Sequence, residues 1–355
     1  MKVVLFEKGK NLAEKQEFYA VDFFRLVAAF MVIAIHYPPF ENVGYALSGG
    51  FSNILCRIAV PFFFLLSGYF LGERIKNSAK TISYVKKLIR FYLIYSVIYL
   101  PLSFYGVINK GYSIWKILVR YLRGVLLTGS YRHLWYFLAL IVSVGLLYLI
   151  VNKVKINDKA LSGLCFVIYF VGVVGCLFET ELRSIVFLKG PMDFYFNIFD
   201  DTKNGFFFGF PFVALGYLVA KHREKFVFST KYILFLIFSV GIMCVEKVVE
   251  MAVAVSVKQD MMISMVPTTC MLFLCIAFIK MKDSVGKMAE LSRKMSMLIY
   301  VWHPFVGFCV EKVAEKAGYE VHSILMYTIV LVVSVVLSFA IIKLSCEIGF
   351  LKKIY

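Results

Sequence analysis

Ionisable side chains inside apolar stretches are costly, so the few that this sequence places there are its candidate chemistry. Arg25 and His36 lie in an apolar run that opens near Tyr19. Eleven residues at about 100° each return a helix to within about 20° of its starting face and advance it by about 16 Å. The two side chains therefore share one stripe of one helix, which Pro38 and Pro39 bring to an end. An imidazole, with a reference pKa of about 6.5, takes a proton from a hydroxyl when neutral, so His36 is a candidate general base. The alternative is a structural histidine hydrogen-bonded between helices. Asp22, three residues before Arg25, is placed to hold that guanidinium.

A second group is Lys86, Lys87 and Arg90. Lys87 and Arg90 are three apart, hence on one helical face, and suit the phosphates of a nucleotide-like donor. Such a cluster read alone is more often a positive-inside anchor at a membrane surface. His133 and Trp135 are either acceptor contacts or an interfacial belt. His303 either faces the same cavity as His36 or makes a core hydrogen bond. Glu246, Lys247 and Glu250 sit close enough to neutralise one another, and His222 and His322 belong to no motif.

These residues must be positioned by helices in a bilayer. The chain has 355 residues, 61% of them hydrophobic and 17% charged, and a mean hydropathy of +0.81. A water-soluble domain cannot hide that much apolar surface. Apolar runs with only small polar interruptions, such as 325–342, argue for helices over the alternating strands of a barrel. Spans are expected at 19–37, 54–72, 88–108, 133–151, 160–178, 205–220, 231–252, 261–279, 295–311 and 323–345. The expected fold is thus an all-α integral membrane protein of about ten transmembrane helices. Residues 1–18 are read as an N-terminal segment that is not a cleavable signal, 19–345 as one membrane domain, and 346–355 as a tail.

Lys and Arg near the connections number 25 on the side of the termini and 12 on the other, which puts both termini in the cytoplasm. Positive-inside topology accounts for the basic residues behind the net charge of +17, and with no basic stripe interleaved with aromatics, nucleic acid is not an expected partner. Eight scattered cysteines, without metal-ligand spacing, read as small core residues, and no metal is expected. Residues 112–132 mix apolar and basic residues in the manner of a helix lying in the interface. Residues 179–204 read as an acidic, solvated loop.

Several runs together resemble the acyltransferase 3 family of membrane acyltransferases. The first is Asp22-Phe23-Phe24-Arg25, ten intervening residues and His36; the second is Val60-Pro61-Phe62-Phe63-Phe64-Leu65-Leu66-Ser67-Gly68-Tyr69-Phe70. Lys87-Leu88-Ile89-Arg90 resembles the family's Arg-x-x-Arg, with lysine in place of its first arginine. His133-Leu134-Trp135-Tyr136-Phe137 and Ser296 through Ile299-Tyr300-Val301-Trp302-His303 follow in family order. The second motif looks closest to the branch that includes the membrane half of the vancomycin-resistance serine racemases, and no racemase half is expected within these residues.

The resemblance implies that Arg25 and His36 are the catalytic pair and that Lys87 and Arg90, with Lys86 beside them, hold acyl-coenzyme A at the cytoplasmic face. The expected activity is O-acylation, moving acetyl from acetyl-coenzyme A to a hydroxyl of a cell-envelope glycan or lipid-linked sugar. Asp22, His133, Trp135 and His303 are the candidate substrate contacts. The expected setting is a bacterial cell membrane, with a homo-oligomer compatible with the reading. The rival is a transporter for a small solute such as an amino acid, with Arg25 and His36 recognising a carboxylate or relaying protons.

Overall fold

Apolar runs set the helix lengths, and Gly, Pro and polar clusters set where the helices stop. The computed structural model describes residues 18–108, 111–253 and 260–349, and among them there is no β-strand. Helices α1 (Tyr19–His36), α2 (Tyr45–Ser48), α3 (Ala59–Leu71), α4 (Ser78–Ile108) and α5 (Ile114–Arg123) come first. Then follow α6 (Trp135–Leu149), α7 (Asp158–Leu177), α8 (Glu179–Ser184), α9 (Val186–Phe199) and α10 (Phe210–Lys221). The last are α11 (Thr230–Val253), α12 (Met265–Ala277), α13 (Gly286–Ala317) and α14 (Ser323–Leu344).

Eight helical stretches among the described residues are long and apolar enough to cross a membrane, and the chain is an all-α, multi-pass membrane protein. The spans expected at 205–220 and 261–279 correspond to the shorter helices Gly205–Lys221 and Met265–Ala277. Thirteen residues of α12 rise about 20 Å, against about 30 Å of hydrocarbon. Helix α4 begins at Ser78 and α13 at Gly286, each well before its apolar stretch, because hydropathy registers only the part of a helix that lipid would cover. The loop expected at 179–204 is corrected: α8 and α9 occupy most of it, with Phe196 turned inward. Cys56, Cys165, Cys176 and Cys275 are buried as expected of core residues, whereas Cys244, Cys309 and Cys346 are exposed, which corrects the reading for those three.

The chain falls into two compact units, one made of 1–63, 222–245 and 264–355 and the other of 64–221 and 246–263. In the first, α1 packs chiefly on α13 and α13 on α14. Ala29 and Ile33 of α1, Met295, Ile299 and Val306 of α13, and Met326 and Val330 of α14 form the buried core. Alanines on the α1 face let the backbones approach closely, as small residues do between membrane helices.

Four contacts give the register of that pair. A Cβ on Gly286 would lie 3.1 Å from the Tyr19 hydroxyl, and one on Gly307 would lie 1.9 Å from the Tyr37 hydroxyl. Between them, Asp22 meets Arg293 and His36 meets His303. Residue numbers rise together, so α1 and α13 run parallel. Parallel spans must be separated by an odd number of crossings, which requires that α10 and α12 either both cross the membrane or both fail to.

In the second unit, α6 packs on the π-helical turn Gly205–Gly209 and on α10, while α10 packs on α7 and α4 on α6. Glycines bring backbones together here as well. A Cβ on Gly68 would lie 1.9 Å from the Val213 carbonyl oxygen, and one on Gly216 would lie 1.9 Å from that of Leu65. Helix α5 leaves Trp115, Val119 and Leu122 exposed at helical spacing, the apolar stripe that an interfacial helix needs.

Candidate active site

Helix α1 is one unbroken α-helix through both Arg25 and His36, so their spacing holds them on a common stripe about 16 Å apart along the axis. Each end of that stripe meets a group from α13.

At the far end, the rings of His36 and His303 lie with centroids 5.2 Å apart and planes tilted by 38°. His36 is half-buried, whereas His303 is fully buried. The Nδ1 of His303 lies 3.1 Å from the Ile299 carbonyl oxygen. A carbonyl only accepts, so Nδ1 carries the proton and donates, leaving Nε2 as the basic nitrogen of the neutral ring. Pro304 follows at once and has no N–H to give to the Tyr300 carbonyl, which loosens the helix where the imidazole sits. The ring of Tyr300 stands 6.1 Å from that of His303 and 6.4 Å from that of Phe63, in the Val-Pro-Phe-Phe-Phe run. The arrangement offers one accessible imidazole backed by a second whose tautomer is set by the backbone.

At the near end, Asp22 accepts from Arg25 Nη1 at 3.1 Å and from Arg293 Nη1 at 3.4 Å. Asp22 thus holds the Arg25 guanidinium as its spacing suggested. Arg293 is the residue that sequence reasoning missed, because it was counted only toward the charge asymmetry of the connections. One signal was present: Arg293 precedes His303 by ten residues, much as Arg25 precedes His36 by eleven.

The remaining candidates belong to the second unit. Lys86, Lys87 and Arg90 are exposed on α4, with Lys87 and Arg90 on one face of a continuous helix. His133 is only 1% exposed, its ring 4.8 Å from that of Tyr99 and 6.0 Å from that of Tyr131, which stack on each other at 4.7 Å. Burial of that kind does not fit an interfacial belt. Trp135, two residues on, goes elsewhere: its ring lies 6.1 Å from Phe64 and 6.0 Å from Phe208, with the Lys203 ammonium 5.5 Å from its face. Lys203 in turn forms an ion pair with Asp260.

The acidic and basic trio of α11 splits. Lys247 and Glu250 form a buried ion pair at 3.1 Å, and the Glu246 carboxylate accepts the Ile263 N–H at 2.5 Å. All three are thus engaged within the unit.

The family model described as an acyltransferase domain, of acyltransferase 3 type, matches residues 18–343, and the chain belongs to this family. Among curated proteins, the chain is similar to an amino-acid racemase of Enterococcus faecalis, at 29% identity over 92% of this chain and 46% of the relative. It is also similar to a serine/alanine racemase of Enterococcus gallinarum, at 28% identity over 89% of this chain and 44% of the relative. The chain therefore spans less than half the length of these relatives. No solved structure matches it.

Proposed function

We propose that this protein is an O-acyltransferase of the bacterial cell membrane that carries acetyl from cytoplasmic acetyl-coenzyme A to a hydroxyl of an extracytoplasmic glycan or lipid-linked sugar. Its membership of the acyltransferase family supports group transfer in general. The observation that carries the chemistry is the paired imidazoles of His36 and His303 at one end of a stripe whose other end holds Arg25.

In this reading both termini are cytoplasmic, the Asp22 end of α1 faces the cytoplasm, and the His36 end faces outward. Arg25 attracts the phosphates of the donor to its end of the α1 stripe, and Lys87 and Arg90, with Lys86, are the candidate phosphate contacts of the second unit. The thioester lies at the end of a long flexible arm from those phosphates, which suits the separation of Arg25 from His36 by about 16 Å. The acceptor hydroxyl gives its proton to His36 and attacks the thioester carbonyl. An oxygen–carbon bond forms, the carbon–sulfur bond breaks, and the proton passes from His36 to the departing coenzyme A thiolate. His133 and Trp135 are the candidate acceptor contacts. A relay in which His36 itself carries the acyl group uses the same residues.

A second reading has one observation in its favour, namely that the similar proteins are named as racemases of amino acids. In it, the chain moves a small amino acid, and Arg25 binds the carboxylate.

Acetyl transfer from radiolabelled acetyl-coenzyme A by the purified, reconstituted protein separates the two. Donor binding by wild type and His36→Ala, with turnover in the wild type alone, is the expected result. A well-folded wild type that binds no coenzyme A overturns the acyltransferase reading and directs attention to amino-acid uptake.

A further inference from the structure

Two helices of the second unit carry apolar side chains in the open. On α5 the side chains fall into three rows one position apart, which a helix turns by about 100° from one another. Ile117 and Tyr121 face the unit: Ile117 is buried, and the Tyr121 hydroxyl donates to the Ser96 carbonyl of α4 at 2.8 Å. Trp115, Val119 and Leu122 are exposed. Lys116, Arg120 and Arg123 each follow one of these by a single position, so a cationic row borders the apolar one along its length. On α9, Phe187 and Phe194 are seven residues apart, hence on one face, and both are exposed, as is Pro191 between them.

Arg123 joins the two helices. It pairs with Asp200 and donates to the Asn197 carbonyl at 2.7 Å, one of the terminal carbonyls that no further turn of α9 satisfies. Helix α9 also packs on Gly124–Thr128, the turn that continues α5. Two stretches long enough to cross a membrane, Trp135–Val154 and Asp158–Leu177, separate α5 from α9, which puts both helices on the same side. With 10 and 14 residues they rise about 15 Å and about 21 Å, short of a hydrocarbon core of about 30 Å. Charge selects what covers their exposed rows. Residues 111–132 include Lys116, Arg120, Arg123 and Arg132 and no carboxylate. Arg123 is met by Asp200, while Lys116, Arg120 and Arg132 are exposed, with the Lys116 ammonium 4.3 Å from the centre of the Tyr112 ring. On α8 and α9, Glu179 and Asp193 flank Arg183, and Glu181 and Lys189 are exposed, one charge of each sign.

We propose that α5 and α9 form one surface element laid in the headgroup boundary of the bilayer, with its apolar rows among the acyl chains and with Lys116 and Arg120 binding the phosphates of anionic lipids. The inference stands whether or not the chain transfers acyl groups.

The test uses the purified full chain in nanodiscs of phosphatidylcholine and phosphatidylglycerol and reads tryptophan quenching by lipids brominated at shallow or deep acyl positions. Comparison with Trp115→Phe isolates the Trp115 signal from those of Trp135 and Trp302. Trp115 is quenched more by shallow than by deep bromines, and more by brominated phosphatidylglycerol than by brominated phosphatidylcholine at equal mole fraction. The double variant Lys116→Ala, Arg120→Ala, altered only at exposed positions, loses about fivefold of that preference per cation. Adding Phe187→Trp to the Trp115→Phe background restores shallow quenching, now from α9. Equal quenching of wild type by the two lipids, or an unchanged preference in the double variant, removes the anionic-lipid site. If Phe187→Trp is shielded from both brominated lipids, as a second copy seated on α9 would leave it, the two-helix element is overturned.

Discussion

His36 and His303, 267 positions apart in the sequence, meet ring to ring at 5.2 Å because α1 and α13 run parallel. The contact joins a half-buried imidazole on α1 to one on α13 that the core encloses.

Replacing His36 by alanine removes the proposed base. Acetyl transfer should fall by about 10²–10⁴-fold, while coenzyme A binding stays near wild type. Radiolabel transfer and equilibrium binding on the same preparation check this, and undiminished transfer would assign the base to another residue.

His303→Phe keeps an aromatic ring in the buried site beside His36 and removes both ring nitrogens. Turnover should drop by about tenfold or more, less than for loss of the base itself, with little change in the donor concentration at half-saturation. A purely structural His303 would instead lower the yield of folded protein and leave turnover per folded molecule unchanged.

The α4 pair should behave as a charged donor clamp. Lys87→Ala combined with Arg90→Ala is expected to weaken coenzyme A binding by about 10- to 100-fold, and more at low than at high ionic strength. Lys87→Arg introduces the planar fork and should tighten binding. Titrations at two salt concentrations distinguish this from an anchoring role, which would leave the affinity unmoved.

Close packing of α1 on α13 makes Gly307 intolerant. A methyl there would lie 1.9 Å from the Tyr37 hydroxyl, so Gly307→Ala should destabilise the protein by about 1–3 kcal/mol. Thermal unfolding in detergent measures it, and the Gly307→Ala, Tyr37→Ala double variant, which removes the opposing ring, should be less destabilised than the two single changes summed.

The membrane class, the helical spans and the stripe shared by Arg25 and His36 were all legible in the sequence, because hydropathy and helical period are local properties. So was the pairing of Asp22 with Arg25, three residues apart on one helix. Helices α8 and α9 were missed because their acidic residues read as a solvated loop, and the burial of Phe196 is decided only in the folded unit. His133 and Trp135 looked alike as neighbours, yet one entered an aromatic box and the other an ionic cluster, since residues two apart at the start of a helix point in different directions.

Taken by itself, the sequence determined which side chains share a helix face, since a period of 3.6 residues needs no partner to be read. Only the tertiary structure decided which helix lies against that face. The parallel approach of α13 to α1 depends on small residues matched across some 270 positions, at Gly286 and Gly307 against Tyr19 and Tyr37. No local pattern encodes that match, and from it follow both the second imidazole and the second guanidinium.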